Sequence, residues 1–213
     1  MLEFPEKTNK HTKIAKEHFY THIKLNKALK RAFVDEIESV WWSNIFSTAT
    51  LNVAAGEQVS QIDLIHIQLK LQYYLPQLLD TIEKAIPRHL IFLLQFEDRY
   101  QLLVNYKEAS QKGQYKIIAN YKTKWTNKSD LTLSIQGLNL DQVYENMVYQ
   151  IAGEAIAKQP DTQLKTNIQL TQKQEKTLRK IADLEKKLRN EQQFNIQMKI
   201  AKEIRELREE GLL

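Results

Sequence analysis

The centre of the chain reads IDLIHIQLK at residues 62–70 and HLIFLLQF at residues 89–96. The second run is apolar at nearly every position, which is typical of a strand buried on both faces. The first run changes the phase of its apolar alternation between Leu64 and Ile65, so it predicts a strand that contains a bulge. Between the two runs, Pro76 can begin an amphipathic helix and Pro87 can stop it. The centre of the chain therefore predicts two core strands connected by a helix.

Further strands are predicted on the C-terminal side of this centre. Glu97-Asp98 and Lys112-Gly113 are turn sequences. They separate predicted strands at residues 99–106 and 115–125. Residues 131–135 alternate in polarity and predict one more strand. After them, an amphipathic helix is predicted to begin at a capping box formed by Asn139 and Gln142.

On the N-terminal side, apolar residues recur every three or four positions from residue 26 onward, and this spacing predicts an amphipathic helix that continues to residue 45. The helix would carry Trp41 and Trp42, whose rings indicate either a wide apolar face or a contact surface. Residues 48–53 then predict a short strand that ends at Ala55-Gly56. The apolar positions of the predicted helix are Leu29, Phe33, Ile37, either Val40 or Trp41, and Ile45.

The last part of the chain follows a break at Gln159-Pro160-Asp161 and contains no glycine before Gly211. Apolar residues at helical spacing on both sides of the polar residues 190–193 predict two helices that pack as an antiparallel hairpin. A continuous coiled coil is the alternative, but the apolar seam loses its register at the polar residues. The predicted partner-binding residues of the hairpin are Leu184, Leu188, Phe194, Ile200, Ile204 and Leu207.

Together these patterns predict an α+β fold. It consists of a mainly antiparallel sheet with helices packed on one side, followed by a C-terminal antiparallel helical hairpin. The predicted organisation is a basic N-terminal arm at residues 1–25, an α+β domain at 26–157, and a helical hairpin or short coiled coil at 161–213. The arm is called basic because the first 31 residues hold eight basic and three acidic side chains.

The composition excludes several classes of protein. Hydrophobic residues make up 42% of the 213 residues, which is ordinary for a globular protein. There is no cysteine, so disulfides, cysteine zinc sites and iron–sulfur clusters are excluded, and a reducing cytoplasm is the expected compartment. The apolar run 90–94 is too short to span a bilayer, so no membrane partner is expected. Five scattered glycines cannot form a phosphate-binding loop, and no cofactor is predicted.

Several stretches resemble a bacterial family catalogued as domain of unknown function 4391. They are FVDEIE at 33–38, TLNV at 50–53, IEKAIP at 82–87, GLNLDQVYE at 137–145 and KLRNEQQFN at 187–195. The resemblance implies a genomic context and does not imply a chemical reaction. Proteins of this family are encoded beside helicases, nucleases and DNA methyltransferases of restriction and phage-defence loci, and they have no established activity. The genomic context associates the family with these systems but is not physical evidence for a function.

One enzymatic hypothesis is a diverged metal-dependent nuclease. Nucleases of that class hold Mg²⁺ with carboxylates from a helix and a strand, while a lysine steadies the attacking water. The order of segments fits, but the expected carboxylate at 48–53 is missing and Asp63 shares a strand with Gln68, on the opposite face unless a bulge intervenes. The hypothesis therefore predicts an inactive relative, with no metal site. Its candidate residues are Glu36, Glu38, Asp63, Gln68 and Lys70.

A second hypothesis is nucleic-acid binding by the basic arm and by the strand 115–125. Lysines and aromatic residues alternate along that strand, so its lysines would lie on one face and its aromatic residues on the other. A solvated edge strand has the same pattern, because edge lysines prevent aggregation. His66 and His89 lie in apolar strands and are interpreted as hydrogen-bonded core or edge residues rather than catalytic bases. The candidate nucleic-acid-binding residues are Lys107, Lys112, Lys116, Lys122 and Lys124.

The sequence as a whole favours a non-catalytic accessory or adaptor protein of a bacterial restriction or phage-defence system. The C-terminal helices would bind a partner protein or a second copy of the chain. The helicases, nucleases and methyltransferases implied by the resemblance are the candidate partners. Nucleic-acid binding and the nuclease-like fold are the alternatives.

Overall fold

The structure is a computed structural model that describes residues 2–21, 25–109, 115–159 and 162–211. The chain folds as two compact units, Met1–Gly153 and Glu154–Leu213. The first unit contains a mixed sheet with helices, and the second contains two long helices.

Within the described residues, seven strands form one sheet in the order β1-β2-β3-β4-β5-β6, and β7 pairs with β5. Strands β3 and β4 are parallel, and the other neighbouring pairs are antiparallel. The mainly antiparallel sheet of the predicted α+β class is confirmed. The strands are β1 (Asn9–Ile14), β2 (Ile37–Phe46), β3 (Ile62–Leu69), β4 (His89–Phe96), β5 (Arg99–Ala109), β6 (Tyr115–Lys122) and β7 (Thr126–Asn127).

Helices α1, α2 and α4 pack on one face of this sheet. Their buried side chains form a core with strand residues such as Ile65 and Phe92. The strand residues of the other parity, Leu64, Ile91 and Val104 among them, are buried as well, so the central strands are covered on both faces. The helices of the first unit are α1 (Glu17–Thr21), α2 (Lys27–Glu36), α3 (Thr48–Leu51), α4 (Pro76–Ala85) and α5 (Leu140–Ala152).

The predicted helix at 26–45 is wrong beyond Glu36. Helix α2 ends there, and Ile37–Phe46 forms strand β2, which carries both tryptophans. The register of β2 against β3 shifts between Ile37 and Ser39 and again between Trp42 and Asn44. Each bulge inserts one residue and reverses the alternation. The first bulge therefore places Ile37 and Val40, which are three residues apart, in the same core, and this spacing imitates a helix.

Two neighbouring predictions are also wrong. Residues 48–53 were expected to be extended, but Thr48–Leu51 is a helical turn that begins at a capping box between Ser47 and Thr50. Strand β3 has no bulge against β4, because its parallel register is uninterrupted from Ile62 to Gln68. Its apolar phase change arises because Leu64 and Ile65 are both buried, on opposite faces of a central strand.

Other local signals are confirmed. Helix α4 has Pro76 in its first turn, and the side chain of Asn139 caps α5 by accepting a hydrogen bond from the backbone N–H of Gln142. Strand β6 ends at Lys122, earlier than predicted. Residues 131–135 are not a strand. Within the segment predicted to be a basic arm, β1 forms the edge of the sheet beside β2.

The second unit contains α6 (Leu164–Asn190) and α7 (Phe194–Gly211), which pack against each other as the predicted hairpin. Ile181, Leu184 and Ile204 form its small core. Two cross-helix ion pairs flank the core, Lys180–Glu203 and Arg208–Glu185, each with a nitrogen–oxygen distance of 2.7 Å. Among the helices of the described segments, none is both long and apolar enough to cross a membrane.

Candidate functional site

A cleft of about 520 Å³ opens on the sheet face opposite α1, α2 and α4. His66 and Gln95 lie at its floor. Their neighbours along the strands, Ile67 and Leu94, point to the opposite face of the sheet and pack under the helices. Tyr100 and Lys128 form one wall. We call this feature the His66 cleft. Its other polar lining residues are Glu3, Asn9, His11, Ser43 and Asn44.

A hydrogen-bond chain orients the imidazole of His66. The side-chain N–H of Gln95 donates to the carbonyl oxygen of Glu97 at 3.0 Å, so Oε1 of Gln95 is the acceptor that faces the imidazole. It lies 2.8 Å from Nε2 of His66, which therefore carries the hydrogen and leaves Nδ1 as an acceptor. Burial lowers the pKa of His66, the hydrogen bond to Gln95 offsets part of this change, and the nearby ammonium group of Lys128 lowers the pKa further. The imidazole is therefore neutral at pH 7.

Strand pairing positions the wall of the cleft. Tyr100 pairs with Thr126 in the ladder between β5 and β7, and Lys128 follows directly after β7. Ser43 is the extra residue of the second bulge in β2, and only 9% of it is exposed. The bulge in β2 and the pairing of β7 with β5 therefore place a hydroxyl and an ammonium group at the same cleft.

His11 adds backbone strain at the mouth of the cleft. Its φ is 41°, which is the left-handed region that non-glycine residues avoid, and the register of β1 against β2 shifts between Asn9 and Thr12. A left-handed conformation costs an L-residue roughly 1–2 kcal/mol. Such strain tends to occur at functional sites.

The nuclease-like candidates do not come together. Glu36 accepts a hydrogen bond from the backbone N–H of Leu75 at 2.6 Å, and Lys70 donates to the carbonyl oxygen of Val34 at 2.8 Å. Asp63 lies seven residues before Lys70, about 23 Å away along an extended strand. It contacts Gln61 at 2.6 Å and Arg88 at 3.6 Å.

The other two candidates are also separate from Asp63. Glu38 is exposed, and Gln68 accepts a hydrogen bond from Ser39 at 3.3 Å. Because β3 has no bulge, Asp63 and Gln68 point to opposite faces. Within the described residues, no group of three His, Asp or Glu side chains is arranged to hold a metal ion.

The predicted lysine surface is divided. Lys107 is buried and forms an ion pair with Glu83 at 2.6 Å, so it is not available to a phosphate group. Lys112 lies outside the described residues. In the ladder between β5 and β6, Tyr106 pairs with Ala119 and Lys107 pairs with Ile117, so Ile118 is the extra residue of a bulge in β6. This bulge reverses the parity of β6, so Lys116 and Lys122 point to opposite faces of the sheet.

The bulge also divides the predicted aromatic face. Tyr115 lies on the face of Lys107, whose ammonium group is 5.1 Å from the centre of the ring, whereas Tyr121 pairs with Val104 on the other face. Lys124 is exposed and follows the end of β6.

The predicted partner-binding residues of the hairpin have two different environments. Leu184 and Ile204 are buried in the core between α6 and α7, and three more of the six residues pack partly against it, namely Leu188, Ile200 and Leu207. Phe194 is 71% exposed. The seam is therefore closed within the hairpin, and Phe194 lies outside it.

The comparison with known proteins assigns a family. The model of the family described as Domain of unknown function (DUF4391) matches residues 2–210. The chain belongs to the DUF4391 family. No curated protein and no solved structure matches the chain.

The resemblance seen in the sequence is thereby confirmed for this DUF4391 protein, but the His66 cleft was not predicted. His66 was interpreted as a hydrogen-bonded core or edge residue, and Gln95 was only one position of the apolar run 89–96. Their side chains meet because β3 and β4 are parallel neighbours, and that pairing is a tertiary property. The remaining lining includes Ser43 of β2, 23 residues before His66, and Lys128 after β7, 33 residues after Gln95.

Proposed function

We propose that this DUF4391 protein is a non-catalytic accessory protein whose C-terminal hairpin binds a partner protein. The supporting observation is an apolar tip formed by Phe194 and Met198, which are 71% and 57% exposed. They are four residues apart on α7 and therefore share one face of the helix. Because the core of the hairpin is already closed by Ile181, Leu184 and Ile204, these two side chains are not needed for its own packing.

The charge of α6 indicates the chemistry of that partner. The helix holds eight basic and three acidic residues. Lys165, Lys176 and Lys187 are spaced by 11 residues, about three helical turns, so they lie along one exposed line of roughly 33 Å. A protein surface with an apolar pocket bordered by acidic residues would complement both the tip and this line. The helicases, nucleases and methyltransferases of a restriction or phage-defence system are the candidate partners within this proposal.

Photo-crosslinking tests the proposal at the tip. We expect a photoreactive phenylalanine analogue at position 194 to give one discrete adduct in the native host cell, while the same analogue at exposed Ala182 on α6 gives none. The adduct protein is then purified and titrated with the full chain. Phe194→Ser with Met198→Ser should weaken binding at least tenfold, and Leu178→Ser, at another exposed apolar residue, should not. An affinity that is unchanged by the double substitution would contradict the proposal.

Direct nucleic-acid binding is the second candidate, and the basic line of α6 is the observation that favours it. The lysines of β6 support it less, because the bulge at Ile118 divides them between two faces. We expect any such binding to weaken steeply with salt, since phosphate contacts release counterions. Replacement of Lys176 and Lys187 by Gln should reduce that salt dependence. Binding that is insensitive to both salt and these substitutions would exclude α6 as the contact surface.

A further inference from the structure

We propose that the His66 cleft binds a nucleoside monophosphate whose base carries an exocyclic amino group. The volume of about 520 Å³ lies within the range of small-molecule sites, and the cleft is lined by apolar side chains together with a larger set of polar ones. The inference does not depend on the proposed role of the hairpin, because all of the lining residues belong to the first unit.

The polar groups of the cleft retain hydrogen-bonding capacity. Nδ1 of His66 is an acceptor once Nε2 is engaged by Gln95. Among the described residues, the hydroxyl groups of Ser43 and Tyr100 have no hydrogen-bond partner, and Lys128 has no carboxylate partner. Ser43 is almost buried, so a ligand could satisfy its hydroxyl in a partly dehydrated environment. These groups converge on one volume and can fix the orientation of a ligand.

The charges of the cleft select the class of ligand. Lys128 can bind a phosphate group, with His11 as a second donor. Glu3 also lines the cleft, so a simple anion would meet a repelling carboxylate. A ligand that carries both a phosphate group and amino N–H donors satisfies both Lys128 and Glu3. A nucleotide base also presents a flat apolar face to Leu64, Leu93 and Leu131, which lie in the same cleft.

The test is calorimetric titration of the full chain with four probes: AMP, UMP, adenosine and inorganic phosphate. We expect saturable binding of AMP. UMP should bind at least fivefold more weakly, because its base has no exocyclic amino group. Adenosine and inorganic phosphate should each bind at least tenfold more weakly, because adenosine lacks the phosphate group and inorganic phosphate lacks the base.

Substitutions locate the site. Lys128→Met should weaken AMP binding at least tenfold, and Lys124→Met, at an exposed lysine outside the cleft, should leave it unchanged. Both lysines are exposed, so neither change should alter thermal unfolding. Equal binding of AMP by the two variants would place any site elsewhere and overturn the proposal. Absence of saturable AMP binding, or binding of inorganic phosphate as tight as that of AMP, would also overturn it.

Discussion

Glu83 on α4 and Lys107 on β5 form a buried ion pair, in which Nζ lies 2.6 Å from Oε2 and the side chains are 3% and 2% exposed. The ammonium group also donates to the carbonyl oxygen of Arg88 and lies over the ring of Tyr115. Within the part of the chain that the structure describes, Oε1 of Glu83 has no hydrogen-bond partner. The pair therefore connects the crossover helix to the strand that follows β4.

Removal of one member of this pair should be costly. We expect Lys107→Met to reduce the free energy of unfolding by about 3–5 kcal/mol, because it leaves Glu83 buried without its counter-charge. The matched control is Lys202→Met, which breaks an exposed pair with Glu206 on α7 and should cost less than about 1 kcal/mol. Urea denaturation measures both values. Equal and small losses would show that the buried pair contributes no more than a surface pair.

The pair and the neighbouring His89 predict opposite dependences of stability on pH. Burial raises the pKa of Glu83 from 4.5 to about 7. The folded state therefore binds more protons than the unfolded state between these values, and this contribution to stability falls as pH rises from 4.5 to 7. Burial lowers the pKa of His89 from 6.5 to about 4, so its contribution is present above 6.5 and is lost as pH falls toward 4.

Single substitutions separate these two effects. In the Glu83→Gln variant, the free energy of unfolding should rise more steeply between pH 4.5 and 6.5 than it does in the parent protein. In the His89→Gln variant, the free energy of unfolding should rise less steeply over the same pH range, or should fall. Denaturant titrations at four pH values measure the slopes. If both variants kept the slope of the parent, neither group would titrate differently on unfolding.

Asp141 connects the start of α5 to the loop before β3. Its carboxylate accepts backbone hydrogen bonds from Glu57, Gln58 and Val59 at 2.6, 3.1 and 2.7 Å. We expect Asp141→Ala to reduce the free energy of unfolding by about 2–3 kcal/mol, since bonds to a charged acceptor are lost together. Thermal unfolding measures the loss. The control is the substitution Asp130→Ala, because Asp130 lies on an exposed turn.

Gly56 provides an independent check of this contact. A Cβ atom at Gly56 would lie 2.3 Å from Oδ1 of Asp141, so Gly56→Ala should also destabilise the first unit. The Cβ atom would also lie 2.8 Å from the backbone oxygen of Val59, so only part of the clash depends on the carboxylate. The combined substitution with Asp141→Ala should therefore cost less than the sum of the two, although some of the cost of Gly56→Ala remains. Strict additivity would mean that the two residues do not interact.

The hairpin should unfold separately from the sheet. Ile204→Ala removes a buried side chain from its small core, and we expect a loss of about 2–4 kcal/mol in the second unit. Phe194→Ala, at a residue that is 71% exposed, should cost less than about 0.5 kcal/mol. Hydrogen exchange resolved by segment measures both. Loss of protection in β3 and β4 together with α6 and α7 would show that the two units unfold as one.

Local signals in the sequence determined a large part of the fold. The apolar run of β4, Pro76 at the start of α4 and the Asn139 cap of α5 depend on neighbouring residues, and each was predicted correctly. The hairpin was predicted for the same reason, because its two seams repeat at helical spacing on either side of a polar turn. These features need no knowledge of distant strands.

Tertiary structure alone decided β2, the position of Lys107 and the His66 cleft. Bulges in β2 gave a strand the apolar spacing of a helix, and a bulge in β6 separated lysines that share a parity in the sequence. The cleft arises where β2, β3, β4 and the end of β7 meet. The physical reason is common to all three. The register of a strand is set by hydrogen bonds to partners that are distant in the chain, and a one-residue shift moves each following side chain to the other face.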